Sequence, residues 1–214
     1  MLMSISDEQL ALNQGLHKSD PSFGSRVQAA GIAAYLPLAL FRMHGNGMCS
    51  SVLDYGTGKG MLVDRLRAQL PDTIDIDGFD PAVPKWSNKP NSPADIVLCL
   101  DVLEHVERKS IDDVMSDIQR LTRLFCLVVV DLRPAVKTLP DGRNAHILLE
   151  PSDWWVSRFS KYFKCQTSFE LPHECGEIQK VVIAATQDPK LLPFVYSFLN
   201  KINVYGLCFK GGNF

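Results

Sequence analysis

The chain has 214 residues, of which 46% are hydrophobic and 21% charged, with a formal net charge of −2. That length supports one good-sized domain with a full core, and the composition is that of a globular protein. The charge balance excludes a polyanion partner gripped by bulk charge, though a local basic patch is compatible with it, and no apolar stretch of about 18 residues is present to suggest a spanning helix.

In chain order, "SISDEQLALNQGL" predicts a helix capped by Ser6, with Asp7 and Glu8 where a helix N-terminus favours acids. "SRVQAAGIAAYLPLALFRMHG" predicts an apolar helix broken or kinked near Pro37, followed by the glycine-rich connector "HGNGMCS". An alternation then begins. "SSVLDYG" reads as a buried strand, "GMLVDRLRAQL" as a helix by its apolar spacing, and "TIDIDGFD" as a strand. "PAVPKWSNKPNSP" is loop-like, so the crossover between Pro81 and Pro93 should be abbreviated. "ADIVLCLD" and "FCLVVVDL" are the continuous apolar runs of strands covered on both faces, and "SIDDVMSDIQRLTRL" between them is an amphipathic helix. "EPSDWWVSRFSKYF" is a helix with Pro151 near its first turn. "KCQTSFEL" and "QKVVIAATQ" should pair as an antiparallel hairpin at the end of the sheet.

The expectation is an α/β fold: a doubly wound, mostly parallel sheet with a C-terminal antiparallel strand pair and an N-terminal helical cap. Residues 1–50 are read as the cap, 51–187 as the main domain and 188–214 as an apolar tail packed on it. None of the six cysteines forms a CxxC pair, and Cys99 and Cys126 lie in apolar runs, so they read as reduced thiols. The start of the chain carries no basic segment followed by a long apolar one. No signal peptide is therefore expected, and the expected location is the cytoplasm. The protein is expected to be a monomer or a homodimer.

The stretch "SVLDYGTGKGML" places Gly56, Gly58 and Gly60 at alternate positions after a strand that ends in an acid, Asp54. Glycines there let the backbone turn tightly and approach a ligand, and the following helix aims its N-terminus at the same place. The bland reading is a tight strand-to-helix turn with no ligand. A phosphate loop needs GxxxxGK[ST], but Lys59 is followed by Gly60 and Met61. A dinucleotide fingerprint needs GxGxxG, and position 61 is methionine. An acid is then required at the end of the second strand, about 20 residues on, to accept hydrogen bonds from ribose hydroxyls. Asp80 in "IDGFDPA" stands there.

"VLDYGTGKG" resembles motif I of the class I S-adenosylmethionine-dependent methyltransferases, whose fold is Rossmann-like. "ADIVLCLDVLEHV" resembles the strand and turn that line the methyl-donor site in the same superfamily, and the resemblance spans about Ser51 to Gln187. It implies S-adenosylmethionine as cofactor, with contacts at Asp54, Gly56, Thr57, Gly58, Gly60, Asp80, Pro81, Asp101 and Val102.

A second constellation follows. If a helix begins in "DVLEH", Asp101, Glu104 and His105 share one face. His146, after the strand "FCLVVVDL", would meet them at the same sheet edge. Glu104, His105 and His146 are therefore the candidate catalytic residues, and they are also candidate ligands for a divalent metal. The pattern is similar to that of the metal-assisted 2′-O-methyltransferases of small RNAs and to the Glu-His pair of the ubiquinone-pathway O-methyltransferases. Asp101, however, stands where the RNA enzymes have glutamate. Trp154 and Trp155 are adjacent on a helix, so at most one is free to stack on a substrate, and Asp141, Gly142 and Arg143 read as an exposed turn.

Three functions stay open on these residues. The first is direct methyl transfer to a small-molecule acceptor, O-directed. The second is metal-assisted modification of nucleic acid. The third is a non-catalytic subunit that binds the cofactor.

Overall fold

The computed structural model describes residues 5–25, 30–172 and 177–208. The apolar runs form strands β1 (Ser51–Tyr55), β2 (Asp75–Phe79), β3 (Ala94–Leu100), β4 (Thr122–Asp131), β5 (Cys165–Pro172) and β6 (Ile178–Thr186). They make one sheet in the order β2-β1-β3-β4-β6-β5. Strands β1 to β4 are parallel, and β6 runs antiparallel to both of its neighbours. The chain leaves β1 to one side for β2 and returns past it to β3. The crevice of such a sheet opens beyond the carboxyl ends of the strands where the order reverses, here β1 and β3.

The unbroken apolar composition of the central strands has a two-sided cause. From β3, Ile96, Leu98 and Leu100 enter a core shared with α2 (Ala30–Gly45), α3 (Met61–Gln69) and α6 (Leu192–Cys208). Val97 and Cys99 enter the opposite core, with α4 (Ile111–Leu121) and α5 (Ser152–Phe159). The period-two alternation persists, but both faces are dry, so no polar residue marks it. Between β2 and β3 the crossover shrinks to a single 3₁₀ turn, Pro84–Trp86, in line with its proline content. Among the described residues no helix is long and apolar enough to cross a membrane.

The N-terminal region divides into two parts. Helix α1 (Asp7–Ser19) is capped as expected, with Ser6 Oγ accepting from the Gln9 N–H at 3.2 Å. It lies against the segment after β4, where Leu16 packs with Leu139 and Ala145. Helix α2 runs through Pro37 and does not belong to a cap. Its Ile32, Leu36, Leu40 and Met43 are buried in the sheet core, so the expected cap over residues 1–50 narrows to α1 and the turn after it. An apolar helix of this kind buries more surface against a sheet than over a polar site. The C-terminal helix α6 buries Val195, Phe198, Leu199 and Ile202 on the same face, with Phe198 edge-on to Phe125 at 5.1 Å. Cys49, Cys99, Cys126 and Cys165 are free thiols, while Cys175 and the Cys208 side chain lie outside the described residues.

Candidate active site

The glycine loop is tied to β2 by the Gly56 and Thr57 N–H groups, which donate to the Phe79 carbonyl at 2.7 and 3.1 Å. Gly56 has φ +79°, and a Cβ there would lie 2.4 Å from a methyl of Val102. Gly58 has φ +56°, and its Cβ would lie 2.7 Å from the Gly24 carbonyl oxygen. Both positions thus require glycine twice over, for conformation and for close approach. Asp80 closes the loop from the far side. Its two oxygens accept from the Gly58 and Ala82 N–H groups, each at 2.9 Å, and each retains a lone pair for a further donor.

These elements wall a cavity of about 1030 Å³, its open mouth included. Asp54, Gly56, Thr57, Gly58, Asp80 and Pro81 form one side, and Asp101, Val102 and His105 another. The lid comes from residues that the sequence did not single out: Ile5, Asn13, His17, Phe23 and Gly24. The turn after α1 is built by Asp20, whose side chain accepts from the Ser22 N–H at 2.8 Å. Lys59, misplaced for a phosphate loop, holds this turn down. Its N–H donates to the Gly24 carbonyl at 2.8 Å and its Nζ to the Pro21 carbonyl at 2.6 Å. The ion pair of Lys137 with Asp20 fastens the turn to the segment after β4.

The segment "DVLEH" does not begin a helix. Asp101 takes φ +56°, and Leu103–His105 form one 3₁₀ turn in which Leu103 and Glu104 are buried. Asp101 and His105 still face the same cavity, and Asp101 pairs with Lys180 Nζ through both oxygens, at 2.7 Å each. Glu104, His105 and His146 bring one potential ligand atom each to within 4.8 Å of one another. Glu104 Oε1 accepts from the Asp131 N–H at 3.1 Å, while Oε2 is buried without a hydrogen-bond partner. His105 and His146 contact the Ala145 and Arg133 carbonyls through Nδ1, at 2.7 and 2.5 Å. A carbonyl only accepts, so Nδ1 is the donor in both rings and Nε2 is the atom turned toward any ligand. Of the three, only His105 lines the cavity; Glu104 and His146 lie behind it.

A family model described as a methyltransferase domain matches residues 24–167. The chain belongs to the class I S-adenosylmethionine-dependent methyltransferases. Its fold is similar to that of 1,6-didemethyltoxoflavin-N1-methyltransferase from Burkholderia thailandensis, solved with S-adenosylhomocysteine. That likeness has a TM-score of 0.60 and 15% identity, covering 88% of this chain and 93% of that one. It is also similar to DhpI in complex with S-adenosylhomocysteine, at a TM-score of 0.51 and 14% identity, covering 88% and 100%. No curated protein matches the chain at the sequence level.

The cavity of this methyltransferase fits its cofactor by charge. The charged groups among the described lining residues are Asp54, Asp80 and Asp101, with His17 and His105 and no lysine or arginine. S-adenosylmethionine carries a sulfonium and an ammonium against one carboxylate, and the acidic lining complements that net positive charge. Burial perturbs the acids of the lining. Burial pushes Asp54 up to about 7, with the Asp80 charge adding to it. Burial also raises Asp80 and Asp101, offset by His17 and by Lys180 respectively. Burial pulls His105 down to about 4, helped by His146, so its imidazole is neutral near pH 7.

Gly60 is not a wall of the cavity; it is the N-cap of α3, and the missing Cβ leaves room for the Trp86 indole. Trp155 is fully buried, with its indole N–H donating to the Glu150 carbonyl at 3.2 Å. Trp154 is half-buried, with the guanidinium groups of Arg108 and Arg158 at 5.5 and 5.2 Å from its ring centre, and it does not line the cavity at the glycine loop. Arg143 stays in its exposed turn, paired with Asp141 at 2.7 Å.

Proposed function

We propose that this methyltransferase acts on a hydroxyl of a small, uncharged acceptor held between the α1 lid and His105, with Glu104 and His146 just behind it. The reading is carried by Glu104, His105 and His146, which each bring one potential ligand atom to within 4.8 Å of the others, while one Glu104 oxygen is buried without a partner. Imidazoles oriented through Nδ1 by backbone carbonyls are the usual outer arrangement of metal-binding histidines. With His105 held near 4, it is a weak base but a competent ligand. Glu104, His105 and His146 would therefore hold a divalent cation, which lowers the pKa of a bound hydroxyl and favours oxygen as the acceptor atom.

When bound, S-adenosylmethionine supplies an electrophilic methyl carbon on a positively charged sulfur. The chain's task is alignment and exclusion of water. Asp80, with a spare lone pair on each oxygen, would hold the ribose hydroxyls, and the acids Asp54 and Asp101 would face the cationic part of the molecule. The turn at Phe23 and Gly24 would close over it. A small uncharged acceptor follows from the lining, which offers no fixed cation to a phosphate among the described residues.

Calorimetric titration of manganese, zinc and magnesium into the protein tests the Glu104, His105 and His146 cluster. Wild type should bind at least one of them, and Glu104→Gln and His146→Ala should lose that binding; no uptake by wild type would remove the metal. Formation of S-adenosylhomocysteine with a panel of small hydroxyl compounds and with RNA oligonucleotides tests the acceptor. Turnover of RNA that falls steeply with salt would overturn the small-molecule reading.

A further inference from the structure

Lys180 lies outside the cavity wall and reaches Asp101 from β6, two strands away in the sheet. We propose that Lys180 is a positioning residue for the amino-acid end of the cofactor, acting through the Asp101 turn. The inference rests on the reading of Asp80 as the ribose ligand.

The strand order supplies the direction. Strands β2 and β3 flank β1 on opposite sides, so Asp80, just past β2, and Asp101, just past β3, face each other across the glycine loop. Two strand spacings separate them, about 10 Å. A cofactor whose ribose sits at Asp80 runs across the loop and delivers its ammonium and carboxylate to the Asp101 side.

The Asp101 turn is held under strain. Among the described residues Asp101 alone, apart from glycines, has positive φ, at 56°. Such a conformation persists only where the surroundings enforce it. Two restraints do so: the Asp101 N–H donates to the Val129 carbonyl at 2.9 Å, and both carboxylate oxygens accept from Lys180 Nζ. The Lys180 side chain is 15% exposed and that of Asp101 7%, so the pair is shielded from water. Asp131 lies 3.5 Å from Lys180 and is itself paired with Arg133 at 2.9 Å, so two acids and two bases balance. Removing Lys180 leaves a buried carboxylate without its cation and releases the turn that carries Val102 and His105, two walls of the cavity. The adenosine side, built by Asp80 and the glycine loop, does not touch it.

The test compares two ligands by calorimetry: S-adenosylhomocysteine, and methylthioadenosine, which keeps the adenosine and the sulfur but lacks the amino-acid end. Lys180→Met should weaken S-adenosylhomocysteine about 10-fold and leave methylthioadenosine unchanged, and Lys180→Arg should restore most of the loss. Equal weakening of both ligands, or no weakening of either, overturns the proposal. If Lys180→Met does not fold, Lys180→Gln, which removes the cation and shortens the reach to Asp101, should give the same split between ligands. Asp80→Ala, in contrast, should weaken both ligands alike, so failure of the ribose reading is seen separately.

Discussion

Gly56 provides a sharp test of how the donor loop is built. In Gly56→Ala the new methyl group sits 2.4 and 2.5 Å from the two Cγ atoms of Val102 and 3.0 Å from its Cβ, on a backbone with φ +79°. The left-handed conformation costs alanine about 1 kcal/mol. Pressing a methyl group into Val102 adds about 1–3 kcal/mol of overpacking. The sum, about 2–4 kcal/mol, is a large share of the about 5–15 kcal/mol that holds a typical domain. Val102→Ala removes both Cγ atoms and leaves only the contact at Cβ, so Gly56→Ala should cost about 1–2 kcal/mol in that background. Urea denaturation followed by tryptophan fluorescence measures the four proteins of the cycle, and Trp86, buried beside the loop, reports locally. The same cost in both backgrounds would refute the argument that Gly56 is required by its contact with Val102.

Asp80→Ala should weaken S-adenosylhomocysteine about 100-fold, from the loss of two charge-assisted hydrogen bonds of about 1.5 kcal/mol each, and isothermal titration checks it. The pH dependence of stability should carry the signature of Asp54, whose carboxyl burial raises from 3.8 to about 7. Between those values the folded protein binds a proton that the unfolded chain releases. Asp54 therefore withdraws stability as pH rises from about 4 through 7, by about 4 kcal/mol at most. Asp54→Asn should remove that slope, so urea midpoints of the variant should gain on wild type as pH increases through this window. Parallel profiles would show that Asp54 is not desolvated as described.

Some site residues were readable because local chemistry admits few alternatives. Glycines at 56, 58 and 60 report left-handed backbone at alternate positions, which side chains seldom tolerate. An acid after the second strand reports its place at the sheet edge, because a strand of known length ends where its apolar run ends. The segment "DVLEH" misled for an equally physical reason. Its spacing permits a helix, but Leu103, Glu104 and Val106 are all buried, so the segment has no wet face to give an amphipathic helix and closes as a single tight turn. The lid was unreadable. His17 and Phe23 lie more than thirty residues before the loop they cover, and nothing in "HKSDPSFG" distinguishes a turn over a ligand from any other turn.

By itself, then, the sequence determined the alternation of strands and helices, the two-sided burial of the central sheet and the class of cofactor. The first two follow from apolar periodicity, and the class of cofactor from the resemblance of "VLDYGTGKG" and "ADIVLCLDVLEHV" to the methyltransferase motifs. Only the tertiary structure decided that α2 belongs to the core rather than to a cap, that Lys59 fastens the lid, and that Lys180 answers Asp101 across two strands. Those outcomes depend on which distant faces pack together. Packing is settled by the burial of the whole chain and by the pairing of charges it leaves without water.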